Sequence, residues 1–206
     1  MKPLSTPPRK TGRPLSFDRS AALRQAMLVF WRHGYETSSI ADLTGAMGIT
    51  PPSLYAAFGD KKQLFLEAAR LYAGDPAAFA ATIDRAPSAF DAASEMLDAV
   101  ATAFTGDDTP RGCLLASATA SGSAAAEDVQ RAVADIRRGI AADLAARIAR
   151  DIADGALPAD TDTAALAGMV VALIQGMSVL ARDGASRNTL QAVAGAAMKA
   201  WPSAPE

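Results

Sequence analysis

Apolar residues recur at helical spacing from the first stretch of chain that could fold. Leu23, Met27, Phe30 and Trp31 fall on one face of a helix that Ser16 can cap and Gly34 can end. Ile40, Leu43 and Met47 mark a short second helix. Ser39 sits at its cap, Asp42 at the capping-box position, and Gly48 at its stop. A third helix starts on Thr50 with Pro51 at its first position, where a missing N–H costs nothing. Its Leu54 and Phe58 lie four residues apart and point back to a core before Gly59 closes it. Asp60 and Gln63 then open a fourth helix carrying Leu64, Phe65, Ala68, Leu71 and Tyr72.

Beyond the Gly74-Asp75-Pro76 break, Phe79 and Ile83 read as an extension of that fourth helix. Ser88 caps a helix running to Phe104, a loop follows over 106–110, and Gly112 starts another segment. Residues 127–154 form a long amphipathic helix with Val129, Val133, Ile136, Ile140, Leu144 and Ile148 inward. Two last helices, 162–183 and 186–200, flank Asp183-Gly184. The fold class is all-α: an N-terminal three-helix helix-turn-helix unit at 16–60, then a helical domain at 61–206. Residues 1–15, rich in Pro, Lys and Arg, form a basic arm that cannot bury apolar surface. Ala164–Ala181 carries no charge, so its length admits a membrane span. Its many Ala and Gly residues, and the lack of an aromatic belt or basic flank, favour a helix buried in a bundle, with no membrane partner.

Charge divides the chain. Residues 1–70 hold 10 Lys/Arg against 5 Asp/Glu, whereas residues 71–206 hold 10 against 17. A basic front on an acidic body points to a polyanionic partner for the front alone. A single Cys excludes an internal disulfide, a single His removes almost every protein-made zinc site, and no cofactor is implied. The basic N-terminus lacks the apolar run of a secretory signal, so the expected compartment is the cytoplasm.

The third helix, PPSLYAAF, is too short to stand alone in water. With Leu54 and Phe58 pinned behind it, Thr50, Pro51, Ser53, Tyr55 and Ala56 form its tip and outer face. A probe with such small side chains fits the DNA major groove, N-terminus first. Tyr55, Lys61, Lys62, Thr37 and Ser39 are then placed to meet phosphates. Residues from Phe17 to Phe65, a quarter of the chain, resemble the DNA-binding domain of TetR/AcrR-type transcriptional regulators. Phe30, Gly34, Tyr35, Thr37, Ile40, Leu43, Gly48, Ile49, Ser53, Leu54, Tyr55, Phe58, Lys61, Leu64 and Phe65 carry that resemblance. The chain departs from the pattern at Pro51-Pro52 and Ala56-Ala57. Fewer polar base readers remain there, so contacts to thymine methyls and DNA shape gain weight. Arg13 of the arm either enters a minor groove or belongs to a solvated tail. His33 reads as a favourable cation at a helix end or a bystander rather than a ligand.

The resemblance implies a C-terminal domain that dimerises and binds a small molecule. The uncharged 164–181 face exceeds what one neighbour covers. A four-helix bundle between two subunits would bury it through Leu166, Met169, Val170, Leu173, Met177, Leu180, Val193 and Met198. The other reading is an internal core helix of a monomer. Phe79, Phe90, Met96, Val100, Phe104, Leu115 and Gln175 are candidates for the lining of an effector pocket, though ordinary packing would equally place them in a core. Cys113 follows Arg111-Gly112 at a helix start, a setting that favours a thiolate, and some regulators of this family sense electrophiles through such a Gly-Cys-Leu stretch. The alternative, a buried small hydrophobe, is favoured because no second Cys in the chain can resolve an oxidised thiol. The combined reading is a homodimeric repressor released from a palindromic double-stranded DNA operator by a small-molecule effector. A helical-bundle enzyme lacks the His and Glu clusters it would need, and a non-specific architectural protein would show no sequence preference.

Overall fold

Each helix begins where local chemistry supplies a cap. The computed structural model describes residues 17–117 and 124–203, with the side chains of 124 and 125 left aside. Among the described residues there are ten helices and no strand: α1 (Arg19–His33), α2 (Ile40–Met47), α3 (Pro51–Phe58), α4 (Lys61–Ala73), α5 (Pro76–Arg85), α6 (Ala89–Phe104), α7 (Leu114–Ser117), α8 (Ala124–Ala153), α9 (Thr163–Arg182) and α10 (Arg187–Met198). The expected caps Ser39, Thr50, Asp60 and Ser88 all hold their helices. The first helix differs. Its cap is Asp18, whose carboxylate accepts from Ser20 N and Ala21 N at 2.8 and 3.0 Å; Ser16 and the 1–15 arm lie outside the described residues. Phe79 and Ile83 also depart from expectation. Gly74, at φ +76°, ends α4, and Asp75 caps a separate α5 with Pro76 in its first turn.

In the front of the protein Phe30, Tyr35 and Phe65 form an aromatic cluster with centroids 5.1 to 6.3 Å apart. Leu43, Leu54 and Leu64 are fully buried around it. Helix α4 therefore belongs by packing to both halves: Leu64, Phe65, Ala68 and Ala69 close the front core, and its later residues run on to α8. In the body, α9 packs against α8, α6 and α10. A buried Arg147–Asp151 ion pair at 2.8 Å anchors the start of α6, since Asp151 accepts from Ala89 N at 2.6 Å and Arg147 donates to Pro87 O at 2.7 Å. Of the expected inward face of α8, Val129, Val133, Leu144 and Ile148 are fully buried, while Ile136 and Ile140 border a cavity.

By length and composition α9 is the one described helix apolar enough to cross a membrane. Here its bulky residues serve the body's own core. This corrects the expected outward face: Leu166, Val170 and Met177, with Met198 of α10, are buried within the protomer. Met169, Leu173 and Val193 are half-buried, and Leu180 is exposed. The outer face is instead Ala165, Gly168, Ala172, Gly176 and Val179, spaced three and four apart. From Ala164 to Ala181 no charge marks a solvent side, and packing turned most of the larger side chains inward while leaving Val179 and Leu180 out.

Candidate nucleic-acid interface and adjoining cavity

The turn before α3 is built by Gly48, left-handed at φ +64°, whose N–H and that of Ile49 return to carbonyls of α2. Thr50 Oγ1 then accepts from Ser53 N at 3.4 Å and lies 2.9 Å from Ser53 Oγ. Leu54 and Phe58 hold the helix from behind, at 0% and 4% exposure. Thr50, Pro51, Pro52, Tyr55 and Ala56 face solvent, with Tyr55 49% exposed. The brace has a further member that the apolar pattern does not reveal. Arg19 sits 4.3 Å above the Phe58 ring, donates to Ala57 O at 3.2 and 3.3 Å, and forks onto both oxygens of Glu67 at 2.8 Å. One guanidinium thus joins α1, the end of α3 and α4. Arginine's planar fork suits such a three-way contact.

Thr37 and Ser39 are exposed on the approach to α2. The Thr37 hydroxyl donates to His33 O, and Ser39 forms a reciprocal capping box with Asp42, N–H to Oδ2 at 3.0 Å and the return bond at 3.1 Å. Those bonds from Ser39 hold the Asp42 carboxyl below its ordinary value of 3.8. Both lysines of α4 are engaged within the protein. Lys61 donates to Glu36 O at 3.1 Å and lies 4.7 Å from the centre of the Tyr35 ring; burial pulls its ammonium pKa down. Lys62 pairs with Asp128 of α8 at 2.8 Å, and their mutual hydrogen bond raises the lysine's pKa and lowers the aspartate's. Arg13 lies outside the described residues.

A cavity of about 1050 Å³ opens between α4, α5, α6, α8 and α9. Six of the seven expected lining residues reach it, Phe79, Met96, Val100, Phe104, Leu115 and Gln175, and Cys113, the candidate sensor, lines it too. Phe90 does not. It is 40% exposed and meets the edge of Trp201 with centroids 6.1 Å apart, because the first turn of α6 points to the C-terminal end of the chain. The wall also contains Trp31 of α1 and Tyr72 of α4, which the pattern alone assigns to a core, together with Ile136, Ile140 and Ile174. Arg70, Glu95, Arg137 and Asp143 give it polar points. Cys113 is buried, its N–H donating to Ser178 Oγ at 2.8 Å. Burial, reinforced by the Cys113 contact, pushes the Tyr72 phenol far above its ordinary range. Among the described residues no cluster of His, Cys, Asp and Glu could hold a metal ion.

A short helix braced behind and bare in front, on an all-helical body with its own cavity, is the arrangement of a helix-turn-helix transcriptional regulator. Residues 22–68 match the family described as bacterial regulatory proteins, tetR family, and residues 89–197 match the tetracyclin repressor-like C-terminal domain. The chain belongs to the TetR family of DNA-binding transcriptional regulators. It is 36% identical over 193 residues to the HTH-type transcriptional repressor ComR of Escherichia coli K12, covering 93% of this chain and 92% of that one. BdcR, an HTH-type transcriptional repressor of the same organism, is 42% identical over 69 residues, 34% of this chain and 35% of its own. In structure the chain resembles a cysteine-substituted form of the TetR family regulator CifR complexed with 26-bp operator DNA. That match has a TM-score of 0.86 at 44% identity and covers 93% of this chain and 100% of that one.

Proposed function

We propose that the protein acts as a homodimeric repressor that leaves a palindromic operator when a small, largely apolar molecule fills the cavity. One observation carries the ligand response: the cavity wall includes Trp31 and Tyr72, which belong to the helices that hold α3. A molecule lodged there touches the reading unit directly. Two α3 helices one DNA turn apart, about 34 Å, meet successive major grooves. Thr50, Pro51, Ser53 and Tyr55 are the groove contacts in this reading. Thr37, Ser39, Lys61, Lys62 and Arg13 are its phosphate or minor-groove contacts. For dimerisation, the uncovered small-residue face of α9, with Val179 and Leu180 at its end, offers a close helix–helix contact to a second copy. The relatives ComR and BdcR are repressors, which supports the sign of regulation.

The test is selection of bound fragments from random duplex DNA, followed by a screen of small molecules for release. Enrichment of a two-fold symmetric site and its release by an apolar compound are expected; failure to enrich any sequence would refute the reading. Thiol chemistry at Cys113 is the rival trigger, because the residue lines the cavity beside Tyr72. Its 5% exposure and its engaged backbone N–H favour a packing role. Cys113→Ser is therefore expected to leave release by the selected compound intact.

A further inference from the structure

A partly buried joint ties the reading unit to the body. Trp31, in the last turn of α1, donates its indole N–H to Gly112 O at 3.0 Å. Its own carbonyl is among the last of α1, where a helix lacks internal donors, and it accepts Arg182 Nη2 from the end of α9 at 3.1 Å. The same nitrogen lies 3.3 Å from Cys113 O. Gly112 stands at φ +78° and is packed so tightly that a Cβ there would lie 2.8 Å from Ser178 O and 2.9 Å from the Arg182 side chain. Its N–H returns to Phe104 O at 3.0 Å, closing the turn onto α6. The Tyr72 ring meets the indole edge-on at 4.8 Å. Three elements distant in sequence thus converge at Trp31: α1 itself, the Gly112–Cys113 turn through the indole, and α9 through the backbone carbonyl.

Helix α1 carries this joint at one end and, through Arg19 and Ala57 O, the end of α3 at the other. From Arg19 to Trp31 the axis runs about 18 Å at 1.5 Å per residue, so a tilt of roughly 10° at the joint moves the far end about 3 Å. That is close to the roughly 3.4 Å rise of one base pair. Helix α4 also runs through both halves and α7 packs on α1, while the Lys62–Asp128 pair is largely solvent-exposed, and such pairs hold little. We infer that Trp31 and Arg182 are positioning residues that fix the angle of the reading unit on the body, and through it the half-site spacing the dimer accepts. The inference rests on the dimeric operator reading above.

The experiment takes the fragment selected by the intact chain and inserts or deletes one or two base pairs between its half-sites. Affinity for each duplex is read by fluorescence anisotropy at fixed salt for the unaltered chain, Trp31→Phe and Arg182→Met. The first substitution keeps an aromatic ring against Tyr72. The second keeps the stem beside Gly112 and alters an exposed side chain, so it remains informative should the tryptophan change unfold the protein. The unaltered chain is expected to lose at least about tenfold at each altered spacing, within the usual range of site coupling. Arg182→Met is expected to bind the selected spacing nearly as well, and each variant is expected to lose less than about threefold at the altered spacings relative to its own affinity at the selected one. Arg182→Met reproducing the original spacing profile overturns the inference, as does an equal loss at every spacing. If the unaltered chain is itself indifferent to spacing, the dimeric operator reading falls and the joint's proposed role falls with it.

Discussion

Gly112→Ala probes the tightest approach in the molecule. Alanine at φ +78° costs about 1–2 kcal/mol for the left-handed backbone alone. Its methyl would also stand 2.8 Å from Ser178 O, a backbone atom that cannot rotate away. Relief requires α9 or the turn to shift, which weakens the Trp31 to Gly112 and Cys113 to Ser178 hydrogen bonds at about 0.5–1.5 kcal/mol each. The expected total is about 2–5 kcal/mol. Gly48→Ala is the internal reference, because Gly48 is left-handed at φ +64° and ψ +33° and has nothing within 4 Å of its Cβ position. It should cost only about 1–2 kcal/mol of backbone strain. For a chain of this length each kcal/mol lowers the midpoint by about 2–4 °C, so thermal unfolding at one fixed protomer concentration separates the two variants. Equal losses, within about 0.5 kcal/mol, would show that the Gly112 turn is not packed against α9.

Leu54→Ala empties a fully buried site behind α3 and is expected to cost about 2–5 kcal/mol, read by denaturant unfolding; a change below about 0.5 kcal/mol would mean α3 is not braced there. Asp128→Asn releases Lys62 and is expected to steepen the salt dependence of DNA binding by up to about one phosphate contact, while Lys62→Ala flattens it. An unchanged slope in both removes Lys62 from the phosphate contacts. Asp42, held below 3.8 by Ser39, contributes stability that is complete above its unfolded pKa and drains as pH falls through the lowered folded value. Asp42→Asn should therefore be less stable than the unaltered chain above pH 3.8, with the gap closing below it in a series of unfolding midpoints. A gap that does not change with pH would show that the capping box does not involve the ionised carboxylate.

Caps, stops and the reading helix were legible in the chain because their physics is local. Ser39, Thr50, Asp60 and Ser88 each satisfy the N–H three residues on, and Gly34, Gly48, Gly59 and Gly74 end helices where a positive φ is needed. The spacing of Leu54 and Phe58 alone put Tyr55 outside, and the split of charge marked the DNA-facing half. Partners far apart in sequence could not be read that way. Arg182 meets Trp31 across 151 residues, Lys62 meets Asp128 across 66, and Arg19 finds Ala57 and Glu67 38 and 48 residues on. Nor could spacing choose which side of the uncharged 164–181 stretch turns inward, or carry Phe90 off the cavity and Trp31 into its wall. Periodicity determines that a side chain leaves water; only the assembled helices determine whether it meets a core, a cavity or a second copy, because burial is common to all three.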